Sequence, residues 1–463
     1  MVSADNLNFD VLELILSFLS NKDATSVALV SRSFLAGIIP TLYKNVWYQL
    51  RESKAYTSGQ ITSPFAVIVK HPGLAVHVRT IDLESVPYIS LTKSSAAKQP
   101  HPVFMKECIK AITLCRNLVS FKCVIPNVVQ SFLMALQNKG RLQNIRVYGN
   151  ITTEQTRLLT HLSNIANLAI EFPSWNLLHA LPTWVIGNKD SLTSLTLYMT
   201  NDLNVETLEA VLKQVPELKG LHVVNCGRID HVNMLNLVKH VPKIESLSIT
   251  VAENPSPLPI TPPSIGHLKN LAIDARYSKN PSPTPTILLA ITEYLRLTTC
   301  ALQSFAIKFP ERKIVIGESF INALLDGHAA TLKRLAFLDC GVEDDSIQSI
   351  SEQCVQLERL DVAIPKDENI YEFGEALSAS DSLTTIVHVN NRHHVHGLRT
   401  LLSQDDVEQL MEMVGSLQTV VSDRRVWTRH SLSGDFVHAR IERRLPNGPR
   451  SLWFLPSRFS TVT

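Results

Sequence analysis

In the stretch LKRLAFLDCGVEDDSIQSISEQCVQLERLDV, residues 332 to 362, the spacing of apolar residues changes from two to three or four and then back again. Leu335 and Phe337 step by two and so share one face of a short strand opened by Leu332. Past Cys340, the residues Val342, Ile347, Ile350 and Cys354 fall at helix-compatible spacing, and Leu357, Leu360 and Val362 restart the strand pattern. A strand, a turn and a helix per unit is the period of a solenoid repeat. Neither apolar face can be buried within one unit, so copies must stack on both sides. The expected architecture is α/β: a curved array with parallel strands on its concave face and helices on its convex face.

The same strand opening recurs at Leu118, Leu142, Ile165, Leu192, Leu218, Ile244, Leu268, Leu302, Leu332, Leu357 and Leu383. Leu118 to Leu142 is 24 residues, Leu218 to Ile244 is 26 and Leu332 to Leu357 is 25, within the period of leucine-rich repeats. The interval from Leu268 to Leu302 is longer and holds Pro281, Pro283 and Pro285, after a stretch containing Pro255, Pro257, Pro259, Pro262 and Pro263. Each Pro removes a donor and restricts its predecessor, so residues 253–263 and 278–286 are expected as loops leaving the array.

With 44 basic and 42 acidic residues for a net charge of +2, no global field directs the chain to nucleic acid or an anionic membrane. Seven cysteines without a C-x-x-C pair argue against a disulfide framework and a zinc ribbon, and read as free buried thiols. MVSADNLNFD lacks the basic and apolar regions of a signal peptide, and VLELILSFL is too short to span a membrane. These features predict a soluble intracellular protein, cytoplasmic or nuclear. P-loop, dinucleotide and nucleophile-elbow motifs are missing from the sequence. Arg392-His393-His394-Val395-His396 has no Cys, Asp or Glu at a chelating interval and reads as a polar loop. No catalytic residue, cofactor or metal ligand is expected.

Residues 7–48 do not fit the repeat. Asn8 is suited to cap a first helix on which Leu12, Leu16 and Leu19 form one apolar stripe and Val11, Leu14, Ile15 and Phe18 another. Such a helix must be buried over most of its circumference. Asp23 is placed to cap a second helix carrying Val27, Leu29 and Val30, and Ser31 or Ser33 a third carrying Phe34, Leu35, Ile38 and Ile39, which Pro40 interrupts. Three short helices cannot bury that much apolar surface by themselves, so a partner is implied.

The order of Leu7, V-L-E-L-I-L-S-F-L at 11–19, N-K-D at 21–23, A-L-V-S-R-S-F at 28–34 and L-Y at 42–43 resembles the F-box, the motif that docks a protein onto the Skp-type adaptor of cullin-RING ubiquitin ligases. The Pro that usually follows the first Leu is Asn8 here. PFAVIVKHPGLAVHVRTIDL at 64–83 resembles the segment after the F-box in many fungal members. NCGRID at 225–230 and DCGVED at 339–344 are similar to the cysteine-containing repeats common behind F-boxes. The resemblance implies adaptor-binding positions at Leu7, Leu12, Ile15, Leu16, Leu19, Leu29, Val30 and Phe34.

The expected organisation is an F-box at 1–50, a connector at 51–77, a leucine-rich-repeat solenoid at 78–402 with its first strand at Val78–Leu83, and a C-terminal repeat and cap at 403–463. In that last segment Ser403 opens a helix bearing Val407, Leu410, Met411 and Val414, residues 433–435 make a hairpin turn, and Trp427 and Trp453 suit a cover for the last hydrophobic layer. Strand positions between the core leucines should face the concave side. That set includes Asn144, Arg146, Ser194, Thr196, His222, Asn270, Arg334, Arg359 and Asp361, with Tyr148 and Tyr198 just beyond, and the target-binding candidates are Arg146, Tyr148, Tyr198, His222, Arg334, Arg359 and Asp361. By resemblance, the function is recognition of a protein substrate within an SCF-type E3 ubiquitin ligase. A non-catalytic interaction scaffold is the alternative.

Overall fold

Each opening Leu or Ile lies two residues ahead of a strand. These side chains close the turn feeding the strand and are buried there, with Leu142, Leu218, Leu302 and Leu357 no more than 2% exposed. The structure, a computed structural model, describes residues 8–19, 21–50, 63–90, 98–252, 258, 265–276, 286–309, 314–365, 369–389, 402–422, 425–431, 437–444 and 452–456. Residues 1–202 and 203–463 form two compact units.

The first unit opens with three helices, α1 (Phe9–Ser17), α2 (Asn21–Val27) and α3 (Arg32–Lys44). It continues through β1 (Asn45–Tyr48), α4 (Pro64–Lys70), β2 (Thr80–Leu83), β3 (Tyr88–Ser90), β4 (Lys98–Pro100), α5 (Pro102–Leu114), β5 (Ser120–Cys123) and α6 (Leu133–Leu136). It ends with β6 (Asn144–Tyr148), α7 (Thr153–Thr160), β7 (Asn167–Glu171), α8 (Trp175–Ile186) and β8 (Ser194–Thr200). Strands β1, β2, β5, β6, β7 and β8 are parallel neighbours in that order, while β3 and β4 make a separate antiparallel pair. Helices α4 to α8 pack each on the next as a second layer.

The second unit holds α9 (Val205–Leu212), β9 (Gly220–Cys226), α10 (His231–Leu237), β10 (Ser246–Ala252), β11 (Asn270–Arg276), α11 (Thr286–Leu297), β12 (Ser304–Lys308), β13 (Val315–Ile316), α12 (Glu318–His328) and β14 (Arg334–Leu338). It closes with β15 (Gly341–Val342), α13 (Asp344–Gln353), β16 (Arg359–Val362), α14 (Asn369–Leu377), β17 (Thr385–His388), α15 (Gln404–Met413), β18 (Thr419–Ser422), β19 (Arg425–Ser431) and β20 (Val437–Arg444). Here β9, β10, β11, β12, β14, β16, β17 and β18 run parallel, and β19 and β20 add an antiparallel end. Each unit is thus mixed α/β, a parallel sheet backed by helices, consistent with a solenoid.

Local chemistry explains the recurring corners. Asn225 and Asp339, in the N/D-C-G sequences, adopt left-handed φ of 56° and 58°, a region these two residue types tolerate. The backbone reversal sends Cys226 and Cys340 inward, where both are buried. Helix starts are capped by side chains: Thr152 and Gln155 form a reciprocal box on α7, Asn204 accepts from Thr207 N and Asp230 from Asn233 N, satisfying donors the helix leaves open. Ser403 and Asp406 do the same on α15.

Several expectations need correction. The sheet begins before Val78, because Asn45–Tyr48 pairs in register with Thr80–Leu83, and one helix leads straight into that strand. Pro40 does not interrupt α3; it deletes only one backbone bond, and Ile38, fully buried, anchors the helix there. Leu29 and Val30 lie in the turn after α2, not on it. Val342 belongs to β15, paired with β13, and not to the following helix. Asn8 precedes α1 but makes no side-chain cap bond. The stretches 253–257, 259–264, 278–285 and 390–401, holding most of the proline-rich loops and the histidine cluster, lie outside the described residues, as do residues 433–435 of the hairpin turn.

Candidate interaction surfaces

The two apolar stripes of α1 have different fates. Leu12 and Leu16 are 4% and 2% exposed, and Leu16 clusters with Ala24 and Ile38 while Leu19, Val27, Ala28, Phe34 and Leu42 pack around them. Gly37 lets α3 come close: a Cβ there would stand 3.1 Å from Leu16 Cδ1. The other stripe faces outward, with Val11, Leu14, Ile15 and Phe18 at 42, 62, 50 and 82% exposure. Leu29 and Val30 in the turn, and Leu35 on α3, are exposed beside it in sequence. Of the expected adaptor-binding set, Ile15, Leu29 and Val30 are therefore on the surface. Leu12 and Leu16 are core residues, because the helices bury one stripe in each other; Leu19 and Phe34 are partly buried against that core, and Leu7 lies outside the described residues.

On the strand face of the first unit, neighbouring strands neutralise one another. Asp82, Lys122 and Arg146 stand side by side on β2, β5 and β6. Lys122 Nζ lies 2.8 Å from Asp82 Oδ2 and 3.3 Å from Glu84 Oε1, all three side chains being at most 14% exposed. Burial, opposed by the Lys122 charge, holds the Asp82 carboxyl above the usual range. Arg146 is bound to Glu171 at 2.6 Å. Tyr148 packs on Phe172 with ring centroids 5.4 Å apart, and Tyr198 on β8 is partly exposed.

The strand face of the second unit is built differently. Register places His222, Ser248, Ala272, Ala306, Ala336 and Asp361 in one row across β9 to β16. The four central side chains are small, so the row is a trough. At one end Asp361, 4% exposed, receives Arg334 Nη2 at 2.9 Å and Arg359 Nε at 2.6 Å. At the other, His222 is fully buried. Seated in the trough are residues Leu452–Pro456: Trp453, Phe454, Leu455 and Pro456 line it together with Ala272, Ala306 and Arg334.

The seated segment is held by specific contacts. Ser248 Oγ donates to the Phe454 carbonyl at 3.0 Å, so the 2.7 Å contact from His222 Nδ1 to Ser248 Oγ is made by an Nδ1–H donor. The Phe454 and His222 rings lie 6.2 Å apart, and the Lys308 ammonium sits 5.8 Å above the Trp453 ring centroid. Burial pushes the His222 imidazole down to about 3, so it is neutral. Trp427 is buried in the antiparallel end, as its expected covering role requires, but Trp453 is not part of that end. His222 and Asp361, expected as target contacts, are covered, and Arg146, Arg334 and Arg359 are engaged in ion pairs. The seating of the tail has no short sequence signal beyond its run of apolar residues; only the register of small side chains on adjacent strands could have pointed to the trough.

All seven cysteines are free and buried. Burial pushes the Cys123 and Cys354 thiols up to about 12, far from a reactive thiolate. Among the described residues, no group of His, Cys, Asp and Glu is placed to hold a metal ion, and no helix is long and apolar enough to cross a membrane.

Comparison with known proteins agrees with the first helices. Residues 5–36 match the family model of the F-box domain. No curated protein matches the chain. Among solved structures, the chain is similar to one in the crystal structure of the Rad7 and Elc1 complex in yeast, at 16% identity and a TM-score of 0.44, over 86% of this chain and 94% of that one. The chain carries an F-box domain at its N-terminus.

Proposed function

We propose that the chain is the substrate-recognition subunit of an SCF-type cullin-RING ubiquitin ligase, working in the cytoplasm or nucleus. Its F-box helices dock on a Skp-type adaptor, and its strand and helix repeats, read as a leucine-rich-repeat solenoid, hold a protein target. The observation that carries this reading is the F-box match over residues 5–36 coinciding with an apolar stripe, Val11, Leu14, Ile15 and Phe18, that the same helices leave exposed. A large exposed apolar patch marks a partner surface. In this reading the chain contributes no catalytic residue. It raises the effective concentration of target lysines near the charged conjugating enzyme by holding both in one assembly.

The test is co-purification of the full chain with a Skp-type adaptor. Leu14→Asp with Phe18→Asp is expected to weaken adaptor capture at least tenfold with the melting temperature unchanged, since both side chains are already exposed. Leu16→Asp should instead unfold the helices, because it places a carboxylate in their core. Undiminished capture by the Leu14→Asp/Phe18→Asp chain would refute the docking surface, and no capture by the native chain would leave the scaffold reading.

A further inference from the structure

The trough on the strand face of the second unit is already occupied by the chain itself, and the manner of that occupancy says what else fits. We propose that this trough is a peptide-binding site for a protein segment that presents two adjacent aromatic residues in a tight turn, and that Leu452–Pro456 is its intramolecular competitor. The inference rests on reading the second unit as the part that holds the target.

The trough is shaped for such a segment. Ser248, Ala272, Ala306 and Ala336 lower the surface on four adjacent strands. In the segment, Leu455 N donates to the Leu452 carbonyl at 3.0 Å, which bends it into a turn. The turn sets Trp453 and Phe454 perpendicular, centroids 5.6 Å apart. Phe454 then goes down, 3% exposed, beside His222, while Trp453 remains partly exposed under the Lys308 ammonium. The trough therefore reads three chemical features: an aromatic ring to bury, a second ring to meet a cation, and a backbone carbonyl for the Ser248 hydroxyl.

Beyond the burial of Leu452 and Phe454, which a partner segment with the same apolar side chains would reproduce, the attachment is suited to exchange. The hydroxyl bond from Ser248 and the cation–ring contact from Lys308 are both of modest strength. The segment is joined to β20 through residues 445–451, a span that reaches at most about 25 Å. So short a tether gives an effective concentration on the order of millimolar. A partner segment of the same chemistry must overcome that concentration, and the tail thereby sets a threshold for target capture.

The experiment uses the full chain and a fluorescein-labelled peptide with the sequence of residues 450–458, followed by fluorescence anisotropy. Trp453→Ala with Phe454→Ala is expected to bind the peptide at least tenfold more tightly than the native chain. Adding Ala306→Trp, which fills the trough, should weaken that binding at least tenfold again. Equal binding by the native and Trp453→Ala/Phe454→Ala chains would overturn the proposal, as would binding indifferent to Ala306→Trp. Should the double variant lose its cooperative melt, Trp453→Ala alone repeats the comparison and is decided by the same two outcomes, since that side chain is already partly exposed. A native dimer that dissociates in the variant would assign the tail to a second copy and overturn the intramolecular arrangement. Adaptor capture is read separately, so a chain that keeps its adaptor but fails the peptide test loses this inference alone.

Discussion

On the strand face of residues 1–202 a charge on one strand is met by a charge from the next, Lys122 by Asp82 and Glu84 and Arg146 by Glu171. On the strand face of residues 203–463 the central positions are Ser248, Ala272, Ala306 and Ala336, and the cover is the distant segment Leu452–Pro456. The bonds that close the first face join residues 40 and 25 apart, whereas the bond from Ser248 to Phe454 spans 206. The first arrangement is fixed once neighbouring strands align, because each charge has its counter-charge in the adjoining repeat. The second is fixed only when a segment far along the chain reaches the strands that it covers.

The largest expected effect lies on the charged face. Lys122→Met leaves Asp82 and Glu84 buried without their cation, and should destabilise the chain by about 3–5 kcal/mol in a urea melt. A loss below about 1 kcal/mol would mean that water reaches these groups and that the two faces differ less than the geometry implies.

Beneath the strand faces, the helix-side cores of the two units should behave alike. Ile145 and Leu335 are 2% and 0% exposed, and truncating either to Ala should cost about 2–5 kcal/mol through lost burial and a residual cavity. Leu221, Leu247 and Leu360, all buried as their register requires, should follow. Should only one unit show this cost, the difference between them would extend into the core and not be confined to the outer faces.

Acidification separates the faces by sign. His222 has its pKa lowered from 6.5 to about 3 by burial, so the unfolded chain binds the extra proton and stability is lost as pH falls from 6.5 toward 3. Asp82 is shifted the other way, raised above 3.8, and its contribution grows as pH falls toward that range. Urea melts at pH 6.5 and 4.5 should therefore show an acid loss on the order of 2 kcal/mol assignable to His222, absent in His222→Gln. An unchanged acid loss in that variant would exclude His222 as its source.

The smallest effect concerns the edge of the trough. Lys308, which stands over Trp453, is about one-third exposed, and Lys308→Met should lower stability by no more than about 1 kcal/mol. Lys308 also stands 3.7 Å from Asp339 Oδ2, so Asp339→Asn is measured beside it, and a larger change in Lys308→Met alone would show that the cation anchors the tail more firmly than one ring contact allows.

The pattern L-x-x-L located the strands that it opens, from Ser120–Cys123 to Thr385–His388, since burial of alternate residues requires a period of two and a one-residue slip would turn Leu335 and Phe337 outward. It also predicted the helix that follows, with Ile347 and Ile350 buried on it, while Cys354, expected on the same face, is buried just past its last residue, Gln353. On α1 the sequence supplied two apolar stripes but not which one turns inward. Leu16 faces Ile38 because Gly37 permits the close crossing of α3, a choice made between helices and not within one. Asn45–Tyr48 became a strand because Thr80–Leu83 was available to pair with it, and four residues carry too short a period to announce this.

What the sequence determined by itself is therefore the repeat: which residues open each repeat strand and which face of the helix that follows is buried. These are decided by spacings of a few residues, where side-chain direction follows from backbone geometry alone. Only the tertiary structure decided that Lys122 is enclosed by two carboxylates, that Ala272, Ala306 and Ala336 align into a trough, and that Phe454 comes to rest beside His222. Each of these depends on residues brought together from separate strands or from a distant tail, and the fit between such surfaces is a property of their assembled shape that no local period encodes.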